Sequence, residues 1–271
     1  METKNTIKAY IPRILFLLCL VLSFPAQSET RQFTYQVYAG GFHVVEAKLF
    51  FDIKSDNNYE VSLDAYTRGW LSSMVPWKGN YLTRGTIKND GFYPQNHVAT
   101  SFWKDETEVK TFTYKDNKLT SLTIKDHDKP LENIEADQIL TEGTTDILSA
   151  TLAVMQNVAT NYNCTGTSDI YDGKRRFTLM FKDQGESELR KSSYNIFSGP
   201  AQLCTVEIEP KGGKWHEKPR GWLSIQEQGR QKGALPAVWM GVVEGFELAV
   251  PVRIRVKTDY GTLLMHLTDV K

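Results

Sequence analysis

Apolar residues recur at every second position over much of this chain, a period that β-strands satisfy and helices do not. Val45, Ala47, Leu49, Phe51 and Ile53 alternate with Glu46, Lys48 and Asp52, and Tyr59, Val61, Leu63 and Ala65 alternate with Glu60, Ser62 and Asp64. Near the other end Val252, Ile254 and Val256 interleave with Arg253, Arg255 and Lys257. After Asp259-Tyr260-Gly261 the pattern resumes at Leu263, Met265 and Leu267. Successive side chains of a strand point to opposite faces, so these segments call for one buried and one wetted face, the habit of antiparallel sheet.

Phe33, Tyr35 and Val37 open the series, and further strands are predicted at 81–88, 95–104, 108–114, 119–125, 167–170, 176–182, 188–197, 202–209 and 221–227. Turn residues punctuate them: Asn57-Asn58, Asn89-Asp90-Gly91, Asp116-Asn117 and Asp172-Gly173. Residues 126–143 lose the pattern and read as a connecting loop. The period changes once, over 144–159, where Leu148, Leu152, Met155 and Ala159 share one helical stripe. Thr144 or Thr145 is the expected N-cap there, with Asp146 favourably placed in the first turn. The expected fold is mainly β: a single antiparallel curved sheet, or an open β-barrel or sandwich, with one packed α-helix at about 144–159.

Lys4, Lys8 and Arg13 precede a short apolar run from Ile14 to Leu22, followed by Ala26-Gln27-Ser28. This is the layout of a cleavable signal peptide over 1–28, and the apolar run is too short to span a bilayer. Residues 29–271 are then expected to form a single β-rich periplasmic domain, soluble and not membrane-spanning. Losing Lys4, Lys8, Arg13 and Glu2 with the leader leaves 29 basic and 31 acidic residues, which gives no electrostatic reason to expect nucleic acid. Two cysteines remain, Cys164 and Cys204, and in an oxidising compartment the simplest expectation is a disulfide between them. Two buried thiols that never meet are the alternative.

No motif for nucleophilic, phosphate-binding or zinc-protease chemistry is present. His216-Glu217 is followed by Lys218-Pro219, which breaks the helix that a zinc-protease motif requires. The five histidines have no ligand spacing, so neither a metal site nor a cofactor is expected, and no catalytic residue is assigned. Two apolar segments stand out instead. Trp70-Leu71-Ser72-Ser73-Met74-Val75-Pro76-Trp77 interrupts the meander where polar turn residues belong, and Leu235-Pro236-Ala237-Val238-Trp239-Met240 does the same later. Trp70, Met74, Trp77, Trp239 and Met240 are therefore candidate ligand-binding residues lining or covering an apolar cavity, with ordinary core packing as the alternative. The row Arg253, Arg255, Lys257 could meet anionic head groups or cell-wall carboxylates, or could be a solvated edge.

Several landmarks carry a family resemblance: Tyr35-x-Val37-x-x-Gly40-Gly41, Asp146-Ile147-Leu148-Ser149-Ala150, Tyr171-Asp172-Gly173-Lys174-Arg175, Cys204, and Val250-Pro251-Val252-Arg253. In this order they resemble the family called domain of unknown function 3108, exported and mostly proteobacterial proteins. The likeness implies an envelope location and a β-rich fold, and implies no catalytic residues. A more distant architectural likeness is to the half-barrels of periplasmic lipoprotein carriers, though those use more than one helix.

The expected function is non-catalytic: binding of an apolar ligand, or of a lipidated or outer-membrane partner, in a β-sheet cavity roofed by 144–159. A structural or interaction module of the cell envelope, binding protein or peptidoglycan through a sheet face, is the alternative. An enzyme whose polar site assembles from residues distant in sequence is the third.

Overall fold

A computed structural model of the chain describes residues 29–271, apart from 55, 89, 90, 220 and 260. The expected signal peptide lies outside the described residues. The first half is a meander: β1 (Glu29–Ala39), β2 (Phe42–Ile53), β3 (Asn58–Thr67), β4 (Trp77–Lys88), β5 (Gly91–Trp103), β6 (Glu106–Lys115), β7 (Lys118–Asp126) and the two-residue β8 (Glu132–Asn133). The second half contributes β9 (Gly166–Tyr171), β10 (Arg175–Leu189), β11 (Gly199–Gly213), β12 (Ala237–Val242), β13 (Ala249–Thr258) and β14 (Gly261–Val270). All pair antiparallel in one 14-stranded sheet of order β8-β7-β6-β5-β4-β3-β2-β1-β14-β13-β12-β11-β10-β9. Two meanders are thus joined at the middle by β1 and β14, from Phe33 opposite Val270 to Ala39 opposite Leu263. The sheet is curved and not closed by strand pairing.

Alternation holds the concave face together. Phe33 and Tyr35 of β1, Ala47, Leu49 and Phe51 of β2, and Tyr59, Val61 and Ala65 of β3 are buried as their period requires. A β-bulge alters the start of β2. Val37 faces Val45 but Tyr38 faces His43, so Val44 is the extra residue, and Val44 is buried in place of Val45.

Helix α3 (Ile147–Asn161) lies in the concavity and touches β4 and β5 from one half and β9, β12 and β13 from the other. Seven of its residues are buried, including Leu148, Leu152, Met155 and Val158. Its N-cap is Asp146, not either threonine. The Asp146 carboxylate accepts the backbone N–H groups of Leu148 at 2.9 Å and Ser149 at 3.1 Å. Thr145 is occupied elsewhere, bridging to Ile170 with its N–H on the Asp169 carbonyl.

The same carboxylate gathers the sheet beneath it. One row of directly opposed residues crosses six strands: Phe51, Val61, Thr83, His97, Phe112 and Leu122. Its two polar members sit under the helix start. The Thr83 hydroxyl donates to Asp146 at 2.7 Å and so accepts from His97 Nδ1–H at 2.8 Å. Ser149 Oγ donates to the other Asp146 oxygen, and Tyr59 O–H in turn donates to Ser149 at 2.8 Å. Each of these side chains is buried and each has a partner, the condition on which buried polar groups are tolerated.

At the seam, Tyr171 of β9 packs with Phe112, Tyr114 and Leu122 of β6 and β7. The following turn rests on the same surface. A Cβ on Gly173, whose φ is +93°, would lie 3.5 Å from the Phe112 ring, and Lys174 reaches Glu108 at 3.0 Å. The shortness of β8 and the Thr145 bridge beside β9 leave little free edge for unwanted strand pairing. Cys164 and Cys204 are bridged, tying the approach to β9 to β11 across the intervening β10, and both are fully buried.

The packed helix expected over 144–159 is α3, and among the described residues α1 (Gly69–Met74), α2 (Gln138–Thr141) and α4 (Trp222–Gln231) are helical as well. Two strand expectations are corrected. The strand expected over 221–227 is the start of α4, in a segment whose Gln, Glu and Arg residues favour helix. The strand expected over 188–197 ends at Leu189, and residues 190–198 cross the back of the sheet, where Asn195 donates to the Val252 carbonyl at 2.9 Å.

Two outcomes follow for stability. Replacing both cysteines by alanine opens a loop of 40 residues and is expected to cost about 4 kcal/mol in the chain-entropy limit, read from urea unfolding. A loss below about 1 kcal/mol would count against that role of the bridge. Burial also holds the His97 pKa below its ordinary 6.5, with the Asp146 charge opposing. The unfolded chain therefore binds the proton more readily. The contribution is intact above that pH and is lost as pH falls below it. The thermal midpoint is expected to drop between about pH 7 and pH 5.5, and His97→Gln should flatten part of that slope. An unchanged slope in the variant would remove His97 as its cause.

Candidate functional site

Beneath α3, the concave faces of β10 to β13 do not fill their space. They leave an apolar cavity of about 360 Å³, within the range of small-molecule sites. Alternate residues of β10, Phe177, Leu179 and Phe181, form its floor, and β11 adds Val206 and Ile208. Val238 and Met240 of β12 and Ile254 of β13 continue the wall, and Ile147 and Thr151, one helical turn apart on α3, complete it. Thr151 supplies the sole side-chain hydroxyl of the lining, and that hydroxyl already donates to the Ile147 carbonyl at 2.8 Å.

Trp222 of α4 also lines the cavity. Its Nε1 is buried with no hydrogen-bond partner among the described residues. A buried indole N–H usually finds an acceptor, and this one has none there.

A gap in the sheet explains the position of α4. Strand β12 pairs with β11 as far as Thr205, and the Pro236 carbonyl still accepts from Val206 N–H at 2.9 Å, which leaves the backbone groups of Ile208 beyond the end of β12. Gln226 fills the vacancy with its side-chain amide, accepting from Ile208 N–H at 2.7 Å and donating to the Ile208 carbonyl at 3.1 Å. The amide thereby imitates the peptide unit of a missing strand. Gln228 accepts from Asp259 N–H at 2.9 Å on the other flank, and Gly229 sits close to the Ala234 carbonyl, where a Cβ would come within 2.5 Å.

The five residues singled out from sequence do not converge. Met240 lines the cavity; Trp239, its neighbour along β12, points to the opposite face and is 6% exposed. Trp70 and Met74 lie on α1 and are exposed, at 50% and 71%. Trp77 begins β4 and packs partly buried against the main core. Trp222 carries no signal in a strand pattern because it opens a helix in the segment expected to be strand. Phe177, Leu179 and Phe181 carried a legible signal, the period-2 pattern of β10, which marks a buried face without distinguishing core from cavity wall. Among the described residues no group of three or more His, Cys, Asp or Glu could hold a metal ion, and no helix is long and apolar enough to cross a membrane.

Gln226→Leu is expected to destabilise by about 2–3 kcal/mol, since both Ile208 backbone groups lose their partners. Hydrogen exchange at Ile208 and in α4 should rise in step. Unaltered protection there would mean that α4 is held by other contacts.

No curated protein matches the sequence. Among solved structures, one similar chain is the crystal structure of a beta-barrel-like protein of domain of unknown function DUF1849 from Brucella abortus. It is 6% identical, with a TM-score of 0.46, covering 89% of this chain and 97% of that one. A family model described as protein of unknown function (DUF3108) matches residues 34–268. The match runs from within β1 to within β14, and the chain belongs to that family.

Proposed function

We propose that this protein is a non-catalytic periplasmic binding protein that holds a single alkyl or acyl chain in the cavity between α3 and strands β10 to β13. The unpartnered Trp222 N–H in an otherwise apolar lining is the observation that carries the reading. A hydrocarbon ligand would find no competing polar groups along the walls, while one oxygen of a carbonyl, hydroxyl or carboxylate could accept from the indole. At roughly 30 Å³ per methylene-sized unit, taking the volume of one liquid water as the guide, the space suits about a dozen carbons. The buried Cys164–Cys204 bridge supports a place in an oxidising compartment. His97 and His266 lie on separate parts of the sheet; the Thr83 hydroxyl that meets His97 is spent on Asp146, and all three side chains are buried beneath the start of α3, supporting a structural role for that cluster.

Delipidated protein is expected to bind dodecanoate with micromolar affinity, equivalent to about −8 kcal/mol, and to quench or shift tryptophan emission as it does so. Val238→Phe, which fills the cavity from its wall, should weaken binding by tenfold or more while costing about 1–3 kcal/mol of stability through overpacking. Absence of a complex both in calorimetric titration with dodecanoate and in native mass spectra of freshly purified protein would end this reading.

A further inference from the structure

The back of the same strands carries a second, unlike feature. Trp239 of β12 stands opposite Arg253 of β13, which stands opposite His266 of β14; Arg255 lies two residues along on the same face. Both guanidiniums lie over the Trp239 ring, with their carbons 4.9 Å and 5.3 Å from its centre. Stacking of this kind fixes the two forks and buries most of the indole. Two positions apart on a strand places their backbones about 7 Å from each other, close enough for both forks to converge on one small group.

Among the described residues these arginines have no carboxylate partner, unlike most others. Arg68, Arg84, Arg175, Arg176 and Arg230 each reach a carboxylate within 3 Å. Among the described residues, Arg253 and Arg255 have no such ion pair, and the Nε of each is buried without a hydrogen-bond acceptor. His266 beside them also has a buried, unpartnered Nδ1. Two half-buried like charges held together with three unmet ring and guanidinium nitrogens form an unfavourable arrangement for the protein alone. Burial and the neighbouring Arg255 charge accordingly depress the Arg253 pKa, and burial with Arg253 depresses that of His266.

We propose that Arg253, Arg255 and His266 form an oxyanion site on the face of the sheet turned away from α3, and that its ligand is a phosphate group. Phosphate matches the donor set better than a single carboxylate. It carries close to two negative charges and three or more acceptor oxygens, enough for two planar forks and a ring N–H together. Tyr194 walls one side, its ring 6.1 Å from His266 and 5.0 Å from Tyr38, and remains 49% exposed. On the other side Arg255 borders an open groove of about 640 Å³ shared with Lys182, Thr205, Leu235 and Glu207, the last of which is already paired with Arg230 at 2.6 Å. The site lies across the sheet from the apolar cavity and does not depend on what that cavity binds.

The test follows the arginine Nε–Hε signals of the labelled protein during titration with inorganic phosphate, with sodium chloride at matched ionic strength as the control. Saturable shifts at Arg253 and Arg255 are expected, with half-saturation at about 1 mM or below, near −4 kcal/mol. They should weaken at least tenfold in Arg253→Gln and in Arg255→Gln, and bound phosphate should raise the pH at which His266 titrates. Flotation with phosphatidylglycerol or phosphatidylcholine vesicles distinguishes the sources. Binding to the former alone, lost in both variants, assigns a lipid head group. Saturable phosphate shifts without flotation assign a free phosphoryl ligand. Shifts that chloride reproduces, or no response in either arm, overturn the proposal. The wild-type titration decides this even if a variant misfolds.

Discussion

A single buried carboxylate organises the interior. Asp146 caps α3 through Leu148 and Ser149, and the same two oxygens take hydroxyl protons from Thr83 and Ser149, which relay to His97 and Tyr59. One side chain therefore fixes where the helix begins and which residues of β3, β4 and β5 lie beneath it. Any shift of α3 along its axis would strand several buried donors at once, each at a cost of about 1–3 kcal/mol. The cavity depends on this, because Ile147 and Thr151 reach it from the first turns of the same helix.

Much of the sheet was legible because alternation is a local signal. Phe51, Val61 and Leu267 occupy the buried positions that their period assigns. The pattern misled where tertiary contacts override it. Val44 is buried because a bulge resets the phase, which no run of apolar residues announces. Thr83 and His97 look like wet-face residues until Asp146 is placed above them. Trp222, Leu223 and Ile225 read as strand, yet the unfilled edge of β11 makes a helix bearing Gln226 the better partner. At the candidate site, Met240 and Trp239 looked like a pair, and the strand's own geometry sends them to opposite faces.

Strands β12 and β13 consequently separate two chemistries by one layer of backbone. Val238, Met240 and Ile254 face hydrocarbon-like space, while Trp239, Arg253 and Arg255 present stacked cations. The apolar face needs no polar partner and can stand empty or filled. The cationic face is electrostatically incomplete on its own. Different forces would govern occupancy on each side: buried area within the concavity, ionic strength behind it.

The pairing of β1 with β14 has a consequence for biogenesis. Gln32 and Lys271 exchange both backbone hydrogen bonds, so segments more than two hundred positions apart in the chain lie side by side at the centre of the sheet. A polypeptide emerging amino-terminus first completes its opening meander long before residues 261–270 arrive. During that interval the flank of β1 is a bare template, open to strands of other nascent copies. Correct maturation thus demands either rapid delivery of the tail or an escort that shields that flank until the tail docks.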